Sequence, residues 1–277
     1  MYNETITSIA AAAAKKSAFA VERTGAFVVH SAMAGAYVGL GIALIFAFAT
    51  PLAKIQSPVV SLAMAATFGI SQSLVIFAGS ELFSANALIM PIGALSGKTT
   101  WTDAFHVLVF SYFGNLLGAL VLAYCVVLSG TFKEDPSFIL TIAEKRMAAP
   151  FLSLFFKGVL ANWLIVLAAW CSFRLKSEVA KLIMIWWCML AFIGTGYEHG
   201  IANMTLLTIA KLVPNSGGFA VTWTGWFANM VPVTLGNFVG GAVLVACAYF
   251  YVSPVMLGEP RIGKTPVAGR ASDDEAA

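Results

Sequence analysis

A histidine beside a glutamate, inside a long uncharged stretch, is the pair of residues in this chain best suited to chemistry. His199 follows Glu198 in Gly196-Tyr-Glu-His-Gly-Ile-Ala-Asn203. The same frame, Gly-x-Glu-x-x-x-Ala-Asn, occurs earlier as Gly79-Ser-Glu-Leu-Phe-Ser-Ala-Asn86. Imidazole is the side chain whose ordinary pKa lies nearest neutrality, so in an apolar setting it can lend a passing anion a hydrogen bond or a proton. The bland alternative is a structural histidine held by backbone carbonyls, and no other histidine is expected at comparable depth. Glu81 and Glu198 can act as proton carriers, as cation ligands, or as anchors for N–H groups freed at a helix break. Anchoring is favoured for Glu81, and anchoring plus orientation of His199 for Glu198. Asn86 and Asn203 end the two motifs and suit capping of a following short helix.

Other polar residues stand in apolar surroundings. Lys157 opens Lys157-Gly-Val-Leu-Ala-Asn162 and can either concentrate anions or snorkel to an interface. Lys145 and Arg146 can form an anion-attracting vestibule, or be solvated loop charges. Asn162, Asn115 and Asn237 are amides suited to satisfying freed backbone groups. There is no Walker A motif, no GxSxG, no HExxH and no His/Cys metal cluster, so neither metal nor cofactor is expected and an enzyme is disfavoured.

The elements that must hold these residues are membrane spans. Apolar residues make up 60% of the 277 and charged residues 10%, with mean hydropathy +0.86; a soluble domain carries about 25% charged residues. The net charge of +3 comes from basic residues flanking spans and does not indicate nucleic acid. Cys125, Cys171, Cys188 and Cys247 lie in apolar runs without CxxC spacing and read as inert buried thiols. Residues 1–27 carry Glu4 and read as an amphipathic helix on the membrane surface, with Ile6, Ile9, Ala10 and Ala13 on one face, not as a signal peptide.

Six hydrophobic segments follow, about 29–51, 58–95, 104–130, 149–173, 180–210 and 224–252. A span takes roughly 20 apolar residues. The second and fifth segments are too long for one span and too short for two with a turn. Each is therefore expected to be a broken span, with a loop at membrane depth that protein must bury. Both repeat motifs fall in these segments, and Gly79 and Gly196 supply the backbone freedom a break needs. A second repeat, Gly114-Asn-Leu-Leu-Gly118 and Gly236-Asn-Phe-Val-Gly240, extends the duplication to segments one to three and four to six. Three spans per copy is an odd number, so the copies are inverted and their breaks meet near mid-bilayer. The expectation is an all-α membrane protein with six transmembrane helices, numbers two and five broken, and repeats over about 28–130 and 149–252. Ten Lys and Arg on one side, against Lys54, Lys133, Lys145, Arg146 and Lys211 on the other, put both termini in the cytoplasm. The channel domain is expected over 28–257 and a polar cytoplasmic tail over 258–277. Ala32, Gly35 and Gly39, with Gly236, Gly240 and Gly241, read as close helix contacts.

These residues resemble the formate/nitrite transporter family. Gly79-Ser-Glu-Leu-Phe83, Lys157 to Asn162, Gly196 to Met204 and Leu235-Gly-Asn237 look like its signatures, in order. Ser31 to Gly41, Ala66-Thr-Phe-Gly-Ile70 and Ile185 to Ile193 are similar to its nitrite-channel branch. The resemblance covers about 28–252. It implies an aquaporin-like protomer with its own pore, assembled as a homopentamer in a bacterial inner membrane. It implies that His199 is the central pore histidine, that Ser84 stands where a hydroxyl, often Thr, lies in the first break, and that Phe68, Phe192, Leu82, Phe83 and Ile165 form apolar constrictions. The anion-attracting basic residue best matches Arg146, with Lys145 one step away, and the first helix is linked to gating in some members. Gln72 stands where relatives carry Leu; it either wets a constriction or faces a neighbouring helix. The implied cargo is a small monovalent anion, nitrite first, passing passively or with protons; formate or hydrosulfide are the alternatives on the same fold, and a neutral-solute pore or intramembrane enzyme fits less well.

Overall fold

The computed structural model describes residues 2–253, so the expected tail at 258–277 lies outside the described residues, as do 254–257. The described residues form ten helices: α1 (Asn3–Glu22), α2 (Thr24–Lys54), α3 (Val60–Gly79), α4 (Phe83–Leu95), α5 (Trp101–Leu128), α6 (Ser137–Met147), α7 (Phe151–Arg174), α8 (Glu178–Gly194), α9 (Gly200–Leu212) and α10 (Trp223–Tyr251). Helices α2, α3, α5, α7 and α10 are long and apolar enough to cross a bilayer. At about 1.5 Å per residue, the 13-residue helices α4 and α9 are not. Six spans result, the second being α3 plus α4 and the fifth α8 plus α9.

The outward surface is apolar in the way a lipid solvent requires. Trp101, Phe105, Phe113, Leu117, Val121, Tyr124 and Leu128 run down one exposed face of α5. Polar groups are turned inward, where Asn115, Asn162, Asn203 and Asn237 are buried. Two of the thiols expected inside are not: Cys125 and Cys247 are exposed on this outer face, where a small apolar side chain is equally at home.

Helix α2 packs on α5, and α7 packs on α10. Small residues allow the backbones to touch. A Cβ on Gly118 would stand 1.8 Å from the Ala32 carbonyl oxygen, and one on Gly240 2.2 Å from that of Val159. The two contacts occupy matching places in the two repeats.

Helix α1 turns its apolar face to the protein and not outward. Its face of Ile6, Ile9, Ala10 and Ala13 is buried in the protein, chiefly against α4. The alanines, which make this face weak as a lipid anchor, let it approach closely: Ala13 lies where a Cβ on Gly93 would be. Tyr2 pins the start of α1. Its ring meets Trp170 at 5.9 Å and Tyr249 at 5.2 Å, with the Arg174 guanidinium 5.0 Å over it. Helix α6, the second amphipathic helix, packs on α9 and α10 at the start of the second repeat.

Candidate functional site

The two breaks are built by the same rules. The last turns of α3, Leu74–Gly79, are wound as π-helix, a local widening that recurs at functional sites. The chain then turns at Gly79 (φ +80) in the first break and at Gly196 (φ +70) in the second. Nothing lies within 4 Å of a Cβ built at either glycine, so backbone conformation alone calls for glycine there. Ser80 and Leu82 are extended, as is His199, before α4 and α9 begin.

A helix start at membrane depth leaves N–H groups that water cannot reach. Three other helices are capped locally: Thr100 and Asp103 form a capping box on α5, Ser177 caps α8 and Thr222 caps α10. The residues preceding α4 and α9 are Leu82 and His199, whose side chains cap nothing. Asn115 and Asn237 serve from neighbouring helices. Asn115 Oδ1 accepts from the Phe83 N–H at 2.9 Å, and its amide donates to the carbonyls of Ser31 and Glu81, both at 2.8 Å. Asn237 Oδ1 accepts from the Gly200 N–H at 2.8 Å, and its amide donates to Gly158 at 2.7 Å and Glu198 at 3.1 Å. These two asparagines, and not Asn86 and Asn203, supply the caps.

Asn86 and Asn203 instead lie one turn inside the new helix, beneath the motif's carboxylate. Asn203 donates to Glu198 Oε2 at 2.7 Å, and Asn86 to Glu81 Oε2 at 3.3 Å. Each carboxylate also meets a cation from an amphipathic helix. Lys16 of α1 hydrogen-bonds Glu81. Arg146 of α6 lies 3.4 Å from Glu198 and hydrogen-bonds Asn203 Oδ1. Of the two basic candidates before the fourth span, Arg146 is therefore drawn in while Lys145 stays exposed. Arg146 shares its charge with Glu198, so it is not a free anion attractor. Lys157 is half-buried, and its carbonyl accepts from the Glu198 N–H at 3.4 Å. The Glu198 carboxylate is turned to Asn203 and Arg146; among the described residues it takes no freed backbone N–H and makes no hydrogen bond to His199.

The starts of α4 and α9 meet at the centre. Ser84 Oγ lies 2.5 Å from His199 Nε2, and both residues are buried. His199 Nδ1 is buried without a hydrogen-bond partner among the described residues. The Phe192 ring stands edge-on to His199 at 6.1 Å, and Phe68 stands edge-on to Phe192 at 5.7 Å. Leu82 and Ile165 are buried in the same core cluster. Phe83 turns its ring onto Tyr112 at 5.2 Å. Asn162 donates to the Asn237 carbonyl at 2.6 Å and the Ser84 carbonyl at 3.3 Å, tying the two breaks together. Gln72 is buried and lines a cavity of about 380 Å³ beside the first break, with Lys16, His30 and Glu81.

The sequence model of the formate/nitrite transporter family matches residues 3–251. The chain belongs to this family. It is 39% identical to the nitrite transporter NirC of Escherichia coli over all of this chain and 99% of that protein. Among solved structures it is similar to an FNT family ion channel, with TM-score 0.85 and 40% identity over 91% of this chain and 100% of the other. It is also similar to a pentameric formate channel with formate bound, with TM-score 0.76 and 27% identity over 83% and 98%. These relatives of the formate/nitrite transporter family are transporters and channels, not enzymes.

Lys16 and His30 are the residues at this site that sequence reasoning missed. Lys16, one of the ten basic residues on the side assigned to the cytoplasm, ends on Glu81; His30 Nδ1 lies 4.0 Å from Glu81 Oε1. The available signal was the repeat itself: each three-span unit follows an amphipathic helix carrying a cation.

Proposed function

We propose that the protein conducts small monovalent anions, nitrite first, through a pore in each protomer of a homopentamer. The observation that carries this reading is the buried Ser84–His199 contact between two helix starts. The positive ends of α4 and α9 converge there, and helix starts favour negative charge. An anion shedding water between Phe68, Phe192, Leu82 and Ile165 loses hydration, and an isolated charge in such surroundings is costly. Ser84 and His199 replace part of that hydration, and His199 lends a hydrogen bond or a proton. Glu81, Glu198, Asn86 and Asn203 hold the breaks and stay out of the anion's path. The names of the relatives, nitrite transporter and formate channel, support the anion class. The family resemblance favours a bacterial cytoplasmic membrane, and the Lys/Arg asymmetry supports both termini inside.

Electrical recording in bilayers with nitrite, formate, hydrosulfide and chloride at two pH values tests the reading. Nitrite current is expected to depend on pH, and His199→Ala and His199→Asn to change that dependence. If both variants follow the wild-type pH profile, the role given to His199 is wrong. If formate or hydrosulfide outcompetes nitrite, the cargo is reassigned on the same fold.

A further inference from the structure

Helix α3 is irregular where it carries Phe68. Its winding is interrupted there, between Val60–Thr67 and Gly69–Ser73. The Ser71 N–H bonds the Phe68 carbonyl at 3.0 Å, a tighter turn than an α-helix makes. The neighbouring helix α8 enters at this point. Trp186 Nε1 donates to the Ala66 carbonyl at 2.9 Å. A side chain bonded into a helix ladder is one of the few causes of such an interruption. Gly69 makes room for the indole: a Cβ there would stand 2.9 Å from Trp186 Cδ1. On the α2 side, a Cβ on Gly41 would stand 1.8 Å from Ser71 Oγ and 3.4 Å from Phe68 Cδ2. The turn is thus gripped by α8 and α2, and the buried ring it carries meets Phe192 of the same α8. Packing alone does not call for the indole bond. Trp187, next along α8, is exposed and makes only a ring contact, with Trp186.

We propose that Trp186 is a positioning residue for the apolar constriction: its bond to the Ala66 carbonyl sets the turn that aims the Phe68 ring at Phe192, and so sets the size of anion that passes. Trp186 itself touches no anion. At membrane depth no water replaces a lost partner, so the indole N–H and the Ala66 carbonyl depend on each other. Without the indole, that carbonyl is free to rejoin the helix ladder, and the Phe68 ring turns with the backbone. The consequence for anion size rests on the anion-channel reading; the positioning of Phe68 does not.

Two readouts on the full-length protein test this. In protein with isotope-labelled phenylalanine, Phe68→Leu assigns the Phe68 ring signal by its loss. Trp186→Phe keeps an aromatic ring and removes the donor, and is expected to shift that signal. Gly69→Ala pushes the indole out while keeping it in the chain, and is expected to shift it too. Trp187→Phe is expected to leave it in place. In bilayers, reversal potentials give the permeability of acetate relative to nitrite. This ratio is expected to rise about three- to tenfold in Trp186→Phe, the worth of one hydrogen bond. A permeability ratio does not depend on how much protein is folded, so general destabilisation leaves it unmoved. In a Phe68→Leu background, which lacks the ring, adding Trp186→Phe is expected to change nothing further. A Phe68 signal indifferent to both Trp186→Phe and Gly69→Ala overturns the positioning. A ratio that stays at the wild-type value in both, or moves equally in the Phe68→Leu background, overturns the role in anion size. A shifted Phe68 signal in a protein that carries no anion current leaves the positioning standing and removes the channel reading instead.

Discussion

The two breaks share a scaffold and differ in how completely it is closed. In the second, Asn203 donates to Glu198 and to Asn229 Oδ1, the latter at 2.8 Å. Asn229 donates on to the Arg146 carbonyl at 3.1 Å, and Arg146 returns to Asn203 and Glu198. This is a closed ring of polar partners around the turn that holds His199. In the first, Lys16 reaches Glu81 alone, and Asn86 Oδ1 is left without a partner among the described residues. The first break also borders the cavity. A satisfied buried network fixes one geometry, whereas a partly satisfied one leaves alternatives. The second half of the fold holds the His199 imidazole still, and the first half, tied down through α1, is the one able to adjust.

The largest effect is expected where the halves are alike. Asn237→Ala strips partners from the Gly200 N–H and from the Gly158 and Glu198 carbonyls, and Asn115→Ala does the same to Phe83, Ser31 and Glu81. The Ser31 and Gly158 carbonyls keep their bonds within α2 and α7; the two other groups, left unsatisfied at about 1–3 kcal/mol each, put the loss at roughly 4 kcal/mol in either variant. Denaturant titration in detergent measures this, and the two midpoints should fall together. A large gap between them would break the symmetry of the caps.

The next effect separates the halves. Arg146→Ala leaves Glu198 and Asn203 buried without their cation, and losing one partner of a buried ion pair costs about 3–5 kcal/mol. Lys16→Ala strips only Glu81, which keeps Asn86 and has His30 nearby. Its cost should be smaller by about 1–2 kcal/mol, one polar contact to a charge. Hydrogen exchange provides the local readout. Lys16→Ala should speed exchange in residues 80–86, and Arg146→Ala in residues 196–203. Equal loss of stability in the two variants would refute the view that the second break is the more tightly determined.

What the sequence made legible follows the same division. Segment lengths and the duplicated Gly-x-Glu-x-x-x-Ala-Asn frame exposed both broken spans, because a helix too long for one crossing and too short for two has few solutions. The amides of Asn115 and Asn237 were readable as partners for freed backbone, since a buried amide in an apolar span has little else to bond. The misreadings came where pattern is silent. Asn86 and Asn203 have the residue type of a cap, yet five residues beyond the glutamate they fall one turn inside the helix, beneath the carboxylate. Lys16 lies 65 residues from Glu81, and no periodicity links a charge on one amphipathic helix to a loop in another span. The burial of α1 was hidden because alanine is as compatible with a helix contact as with a weak membrane surface.

A smaller effect tests the two turns directly. Gly79→Ala and Gly196→Ala each force a Cβ into positive φ while meeting open space. The expected cost is the backbone term alone, about 1–2 kcal/mol in either half. If Gly79→Ala costs little while Gly196→Ala costs the full amount, the first break has relaxed to another conformation, as its looser network allows.

The smallest effect concerns the two amphipathic helices that deliver the cations, because their starts are held by different forces. Tyr2 holds α1 with aromatic rings and a guanidinium, none of which titrates in the acid range. Asp135 holds α6: its carboxylate accepts from the Ser137 hydroxyl at 2.5 Å and backbone N–H at 3.3 Å, and lies 3.7 Å from Lys54 Nζ. The Ser137 hydroxyl bond, ahead of the other contacts, holds this carboxyl below its usual 3.8. A carboxylate depressed in the folded state adds stability above its unfolded pKa and loses it as pH falls toward the folded value. The group is about one-third exposed, so the contribution is under about 1 kcal/mol. Acidification below the ordinary carboxylate range should therefore speed hydrogen exchange at residues 137–141 relative to 3–7. Asp135→Asn should produce the same change at neutral pH and make it insensitive to acid. Equal acid response at both helix starts would mean that Asp135 does not set the start of α6, and that Arg146 is positioned by the packing of α6 on α9 and α10 alone.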